Sequence, residues 1–355
     1  MRVLIVKMSA LGDIIHALPI LSYLRQASPG TEVDWVVEEP FRELLAGNPL
    51  IAQLHTVRSK VWRKAPLAGA TRQEIATVKA ALRERRYDMV FDIQGNLKSG
   101  LVDRLTGCRQ VIGLSADLLQ EKVNLLFTTR QVPSRRQDVH VTDQYLRVVS
   151  VRFGRDFREM ALVTDISTSS SDDVAAEALL STLADGLVFL CHCGTTWETK
   201  FWHDEGWISL GKGLLELYPE ATLLFSWGND REREQVSGYV AAIGRGARVL
   251  ERYPLKGFAA LLKRVDLVIG GDTGPLHVAA AVGTPTVSLY RASAGKRSGP
   301  RGEQHVIIQA PLPCTACFRT HCDKDAVCRR SITPEMVLKG VAKIHLPTST
   351  LTSTL

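Results

Sequence analysis

Short runs of β-branched and other apolar residues recur along the chain with helical stretches between them. "RVLIVK", "EVDWVVEE", "YDMVFDIQG" and "QVIGL" come early, and "GLVFLCH", "ATLLFSWG", "ARVLE", "VDLVIGG" and "TPTVSLY" come later. Strands that alternate with helices in this way predict parallel sheets covered by helices, an α/β fold. Between the two series, "VTDISTSSSDDVAAEA" crowds Ser, Thr and Asp before a new helical pattern and predicts a linker near residues 164–174. Two α/β halves are therefore expected, with ligands beyond the carboxyl ends of the strands. The last helix is predicted in "SITPEMVLKGVAKI", with Thr333 as its cap and Pro334 at its first position. The polar repeat "PTSTLTSTL" that follows reads as a frayed tail.

At 355 residues two domains are the natural expectation, and 45% hydrophobic with 23% charged residues fits an ordinary globular protein. A net charge of +7 favours an acidic partner: nucleic acid, an anionic membrane surface or a phosphorylated ligand. Only 6% aromatic residues and the lack of a DNA- or RNA-reading motif argue against nucleic acid. The apolar run Val3 to Val6 is too short for a signal-peptide core and no segment has about 18 uninterrupted apolar residues, so a cytoplasmic protein is expected. Seven cysteines without a secretion signal suggest thiols or metal ligands more than a disulfide framework.

The chemistry-bearing stretches fall at predicted strand ends. In "KMSALGDIIHALP", Asp13 follows a glycine turn at the start of a helix, with Lys7 and His16 nearby. It is either a helix cap or a base. In "VDLVIGGDTGPLHVAAAVGTPTVSLY", a strand ends in Gly270 and Gly271 and a helix begins around Asp272 and Thr273. Its N–H groups and dipole suit a phosphate or diphosphate, although the same residues also serve as plain caps. The pattern matches neither the P-loop nor G-x-G-x-x-G. The loop "CHCGTTWETKFWHDEGW" offers Thr195, Thr196 and Lys200 as a second anion site, or as an ordinary solvated loop. Trp202 and Trp207 are expected to pack the following helix. Asn229 and Asp230 stand where α/β folds often hold ribose. Cys314, Cys317, Cys322 and Cys328 form a C-x2-C-x4-C-x5-C pattern that suits one structural zinc or iron ion, against free thiols as the alternative.

Together, "VKMSALGDIIHALP", "WVVEE", "VWRKA", "FDIQGNLKSG", "TTWETKFW" and "GGDTGPLHVAAAVGTPTVSLY" resemble, in order, the lipopolysaccharide heptosyltransferases of glycosyltransferase family 9. "WVVEE" and "VWRKA" are most similar to heptosyltransferase I, which adds heptose to the Kdo of Kdo2-lipid A. The resemblance implies a GT-B architecture of two facing Rossmann-like domains with an interdomain cleft. It places the acceptor domain at residues 1–168, the nucleotide-sugar domain at 169–345 and a flexible tail at 346–355. It implies inverting transfer from ADP-heptose without a cofactor or metal at the chemical centre. It also implies a lipid acceptor at the cytoplasmic face of an anionic inner membrane, where peripheral attachment is expected. Transfer to a core heptose, as in heptosyltransferases II and III, or to a protein is the alternative, and a non-catalytic nucleotide-binding module is a reading of another class.

By the same resemblance Asp13 lies on the catalytic aspartate. Lys200, Thr195, Thr196, Asp272, Thr273, Gly274 and His277 lie on donor-site motifs, Asp230 lies near the ribose and Tyr253 near the adenine. Lys200 and the helix N–H groups are expected to stabilise the leaving diphosphate. Lys7, Lys60, Arg63, Lys64 and Lys98 are candidate partners for the acceptor's carboxylates and phosphates. The family's usual arginine before the acidic residue of "LLQEKVNLLF" is Gln120 here, with Lys122 as a substitute cation.

Overall fold

The computed structural model describes residues 1–119 and 121–346, so Gln120 and residues 347–355 of the expected tail lie outside the described residues. The chain divides into two compact units that part between Ser167 and Thr168. The N-terminal unit holds six strands: β1 (Arg2–Val6), β2 (Glu32–Glu38), β3 (Gln53–Val57), β4 (Met89–Asp92), β5 (Val111–Leu114) and β6 (Arg130–Val132), in the order β3-β2-β1-β4-β5-β6. The second unit holds β7 (Val188–His192), β8 (Thr222–Ser226), β9 (Ala247–Val249), β10 (Leu267–Gly271), β11 (Thr286–Tyr290) and β12 (His305–Gln309), in the order β12-β11-β10-β7-β8-β9. Every pairing in both sheets is parallel.

Each unit thus repeats one doubly wound topology, in which the strand order reverses between its first and fourth strands. Such a reversal leaves space beyond the carboxyl ends of those two strands, where α/β proteins bind ligands. In the first unit that point lies after β1 and β4, which pair with Val6 opposite Asp92. In the second it lies after β7 and β10, with Gly270 opposite His192.

The central strands are apolar because both their faces are covered. Val3, Leu4, Ile5 and Val6 are fully buried, as are Leu267, Val268 and Ile269. Leu4, Val6, Val36, Val90 and Val111 pack with Leu82 and Val102 from the helices Gly69–Glu84 and Leu97–Thr106. In the second unit, Trp202 and Trp207 join Phe189, Phe225 and Leu289 in the core, as expected of the two tryptophans.

The Ser- and Asp-rich stretch read as a linker holds the boundary between the two units and, from Ser169 on, a helix start. Ser169 Oγ accepts from Asp172 N at 3.2 Å and opens the helix Ser170–Leu180, whose Asp173 and Glu177 then pair with Arg264. Residues that favour loops also favour caps, and here the cap prevails. At the end of the chain Thr333 Oγ1 caps Pro334–Val341 by accepting from Met336 N, as the sequence predicts.

Candidate active site

Two clusters stand at the two reversal points. In the first unit the turn after β1 leads into the helix Leu11–Ala17, and Asp13 occupies its third position. One oxygen of Asp13 accepts from the Ala10 main-chain N–H at 3.4 Å, and the other accepts from Tyr145 Oη at 3.2 Å. The carboxylate is 43% exposed. Asp13 therefore serves the helix start and still presents an accessible carboxylate beyond β1. The turn itself is fixed from the neighbouring strand, because Gln94 Oε1 accepts from Met8 N at 2.9 Å and Ser9 N at 3.0 Å.

Lys7 departs from its expected place among acceptor-binding surface cations. It is buried, its Nζ donates to Tyr145 Oη at 2.9 Å, and it lies 4.0 Å from Asp13. The end of a central strand faces inward, so a cation there is held by the protein's own groups. Tyr145, on the helix Val141–Phe153, bridges the cation and the carboxylate and carries no mark in the sequence that would single it out.

The remaining candidate cations are on the surface. Lys60, Arg63 and Lys64 are exposed on the short helix Ser59–Lys64, while Trp62 packs against the core. That helix is tied to the end of β2 by Glu38, whose carboxylate accepts from Ser59 N at 3.1 Å and from Ser59 Oγ. Lys98 lies 3.9 Å from the same carboxylate. Glu38 thus gathers Lys98 and the "KVWRK" helix on one edge of the sheet.

In the second unit the helix Gly274–Ala281 follows β10, with Thr273 at its cap, Gly274 at its first position and Pro275 next. The helix begins two residues later than Asp272, which leaves Asp272 in the turn at its mouth. The Asp272 carboxylate takes Lys200 Nζ at 2.6 Å on one oxygen and His277 Nε2 at 3.1 Å on the other. Burial pushes this carboxyl upward, but His277 and Lys200 outweigh burial and hold it far below the usual carboxylate range. Asp272 is thus a fixed anion that positions two nitrogen groups.

Thr273 Oγ1 is buried and has no hydrogen-bond partner. It stands at the N-terminal end of the helix, where the first main-chain N–H groups also lack partners within the helix. Lys200 ends the short turn Glu198–Lys200 after β7, and its Nζ also lies 4.7 Å from the centre of the Trp197 ring. Thr195 and Thr196 precede it in the same loop, Thr196 exposed and Thr195 half-buried. Gly270 and Gly271 allow the close approach of these strands: a Cβ at Gly270 would stand 3.2 Å from the His192 carbonyl oxygen. His192 is buried, which lowers its pKa to about 4, and its Nδ1 pairs with Ser226 Oγ at 2.9 Å.

After β8, Asn229 caps the helix Asp230–Ile243 through Glu232 N, and Asp230 is exposed at its first turn. Glu232, which sequence reasoning passed over, folds back to accept from Gly228 N at 2.7 Å and fills the space beside Gly194. Tyr253 is half-buried, with its ring against Gly257.

Among the described residues no three His, Cys, Asp or Glu side chains are placed to hold a metal ion, and all seven cysteines are free thiols. Cys314 and Cys317 are exposed, on a turn held to the chain after β11 by Ala316 N to Arg291 O (2.9 Å) and Phe318 N to Ala292 O (2.8 Å). Cys328 lies on the helix Asp325–Arg330 and packs toward the core. The buried Arg291 donates to Asp325 Oδ1 at 2.6 Å and ties this segment to the end of β11.

Comparison with known proteins follows the same outline. The family description Glycosyltransferase family 9 (heptosyltransferase) matches residues 75–327. The chain is 34% identical to lipopolysaccharide heptosyltransferase 1 of Pseudomonas aeruginosa, over 91% of this chain and 87% of that one. It is 29% identical to lipopolysaccharide heptosyltransferase 1 of Escherichia coli K12, over 88% and 94%. The structure of E. coli heptosyltransferase WaaC with ADP-2-deoxy-2-fluoro heptose superposes with a TM-score of 0.76 at 26% identity, over 97% and 99%.

Proposed function

The chain belongs to glycosyltransferase family 9, the heptosyltransferases, and from that premise we propose that it moves L-glycero-D-manno-heptose from ADP-heptose to the Kdo of Kdo2-lipid A in the lipopolysaccharide inner core. Its two Rossmann-like units are those of the GT-B class. The observation that carries the proposal is the anion-binding end of Gly274–Ala281, where the buried Thr273 hydroxyl has no partner and Lys200 is held by Asp272. A nucleoside diphosphate supplies the acceptor oxygens this site calls for.

In the proposed step the acceptor hydroxyl oxygen bonds to the anomeric carbon as the bond from that carbon to the ADP oxygen breaks. Asp13 takes the hydroxyl proton, and ADP leaves with the electron pair. A base so positioned contributes about 10²- to 10⁴-fold, and attack opposite the leaving group inverts the anomeric centre. An ammonium has three N–H donors. One is spent on Asp272 Oδ2 and a second reaches the Asp272 carbonyl oxygen at 3.5 Å, so Lys200 keeps one donor for the β-phosphate, joined by the first N–H groups of the helix and the Thr273 hydroxyl. This positive end meets the charge that develops on the leaving group, so the reading assigns no cofactor to the chemical step. Thr195, Thr196, Asp230, Tyr253 and His277 complete the proposed donor site, while Lys98, Lys60, Arg63 and Lys64 serve the anionic acceptor.

The test is an assay of the purified protein with ADP-heptose and Kdo2-lipid A, read by mass spectrometry. One added heptose is expected, and Asp13→Ala should lose turnover while keeping ADP affinity. Turnover only on an already heptosylated acceptor would move the assignment to the next enzyme class, and undiminished Asp13→Ala activity would remove Asp13 as the base.

A further inference from the structure

Of the exposed apolar side chains in the first unit, four fall on two adjoining elements. Leu97 and Leu101, on the helix Leu97–Thr106, are 42% and 53% exposed, and Val123 and Leu126, on the turn Lys122–Leu126, are 40% and 80% exposed. A single exposed leucine needs no explanation, but a joined patch does.

The two elements are packed as one piece. Asn124 Nδ2 donates to Asn96 O at 3.0 Å and to Ser99 Oγ at 3.3 Å, and the Phe127 ring lies so close to Gly100 that a Cβ there would overlap it. Along the helix, Leu97, Leu101 and Arg104 share one face at i, i+4 and i+7. Cations border the patch: Lys98, Arg104 and the exposed Lys122. Of the nearby carboxylates, Glu38 lies 3.9 Å from Lys98, the exposed Glu121 accepts from Leu97 N at 2.9 Å, and Asp103 is buried.

We infer that this face, Leu97, Leu101, Val123 and Leu126 within a rim of Lys98, Arg104 and Lys122, is the surface by which the protein lies on an anionic lipid bilayer. The inference rests on the reading that the acceptor is a membrane glycolipid. Charge chooses the occupant. A second copy packed by the same face would set the two cationic rims against each other, whereas anionic headgroups neutralise the rim while the four apolar side chains enter the boundary of the acyl region. No helix among the described residues is long and apolar enough to cross a membrane, so contact of this shallow kind is what the described chain can offer. The place is also apt: Gln94, which fixes the turn that carries Asp13, lies in the loop that leads into this helix. The helix that carries Asp13 and the helix that carries Leu97 and Leu101 both start from the carboxyl end of one sheet, after β1 and β4.

The test is flotation of the full chain with vesicles of phosphatidylethanolamine and phosphatidylglycerol, beside vesicles of phosphatidylcholine. The wild type should float with the anionic vesicles and detach as salt is raised. The double variant Leu101→Gln/Leu126→Gln should lose about tenfold or more in partition at an unchanged melting temperature. Leu217→Gln, a control at an exposed leucine of the second unit, should float like the wild type. Equal flotation of the double variant, failure of the wild type to float on anionic vesicles, or wild-type self-association that the double variant abolishes would each overturn the inference. Transfer to a deacylated acceptor keeps the two readings apart. Flotation that ignores the double substitution while transfer persists sinks the surface alone, and flotation as expected by a protein that transfers no heptose sinks the enzymatic reading alone.

Discussion

Tyr145→Phe removes one oxygen atom and with it the contacts to Lys7 and Asp13, and so tests what holds the proposed base. The first contact, 2.9 Å from Lys7 Nζ, is buried and charge-assisted, a class that contributes about 1.5–3 kcal/mol. The second, 3.2 Å from Asp13 Oδ1, meets a carboxylate that is 43% exposed, and solvent screening brings it to about 1 kcal/mol or less. The variant should therefore lose about 2 kcal/mol of stability, which for a unit of this size lowers the melting temperature by about 4–8 °C. The effect on chemistry comes from the second contact alone. Loss of about 1 kcal/mol of orientation in the transition state corresponds to about a fivefold fall in kcat. The assay is steady-state transfer with both substrates varied, alongside ADP titration by calorimetry and thermal melting. Lower kcat with unchanged ADP affinity is expected, because every contact of Tyr145 described above lies in the first unit. An unchanged kcat would show that the tyrosine does not orient Asp13. A fall beyond about 100-fold would exceed a positioning role and give the phenol a direct part in proton transfer.

Lys200→Met should weaken ADP binding by about 10- to 150-fold, the worth of one charged hydrogen bond, and calorimetry that finds unchanged affinity would remove Lys200 from the donor site. A stability prediction concerns Asp34, buried under the first sheet. Burial raises its pKa, but His55, Arg85 and Tyr87 outweigh burial and bring it from the ordinary 3.8 to about 2. A lowered carboxylate pKa gives stability that is present above the unfolded value, near pH 4, and is lost as pH falls through about 2. The shift corresponds to about 2 kcal/mol at neutral pH. Asp34→Asn should cost at least about that much at pH 7 and flatten the acid dependence of urea unfolding between pH 4 and 2. Equal acid slopes in the two proteins would refute the argument.

The strands legible in the sequence were the interior ones and β9, since apolar runs such as "RVLIVK" and "VDLVIGG" are written by burial on both faces. The strands that escaped, β3, β6 and β12, are all sheet edges. Their segments are short or half-polar, as "QLHTV" and "RQV" show, and resemble loops. At the candidate site, Asp272, Lys200 and His277 were readable as a glycine-flanked strand end and a following loop, and the structure joins them. Tyr145 was not readable, because it reaches Asp13 across 132 positions of sequence from a helix with ordinary amphipathic spacing. Lys7 was misplaced for the converse reason: a lysine after an apolar run looks like a surface charge until the partner that buries it is seen. Four cysteines at ligand-like spacing point in the sequence to a metal, and the turn that carries two of them is also held by main-chain bonds to Arg291 and Ala292.

Gln94 has a bearing on how members of this family can be recombined. Its single carbonyl oxygen takes two main-chain donors from the turn that leads to Asp13, so both lone pairs are occupied and the turn has its shape only while that amide is present. Residues 7–13 and 93–99 are therefore one mechanical unit split by some eighty positions of chain. A chimera that exchanges only one of the two loops with a relative should misplace Asp13, and one that exchanges both should keep it in place.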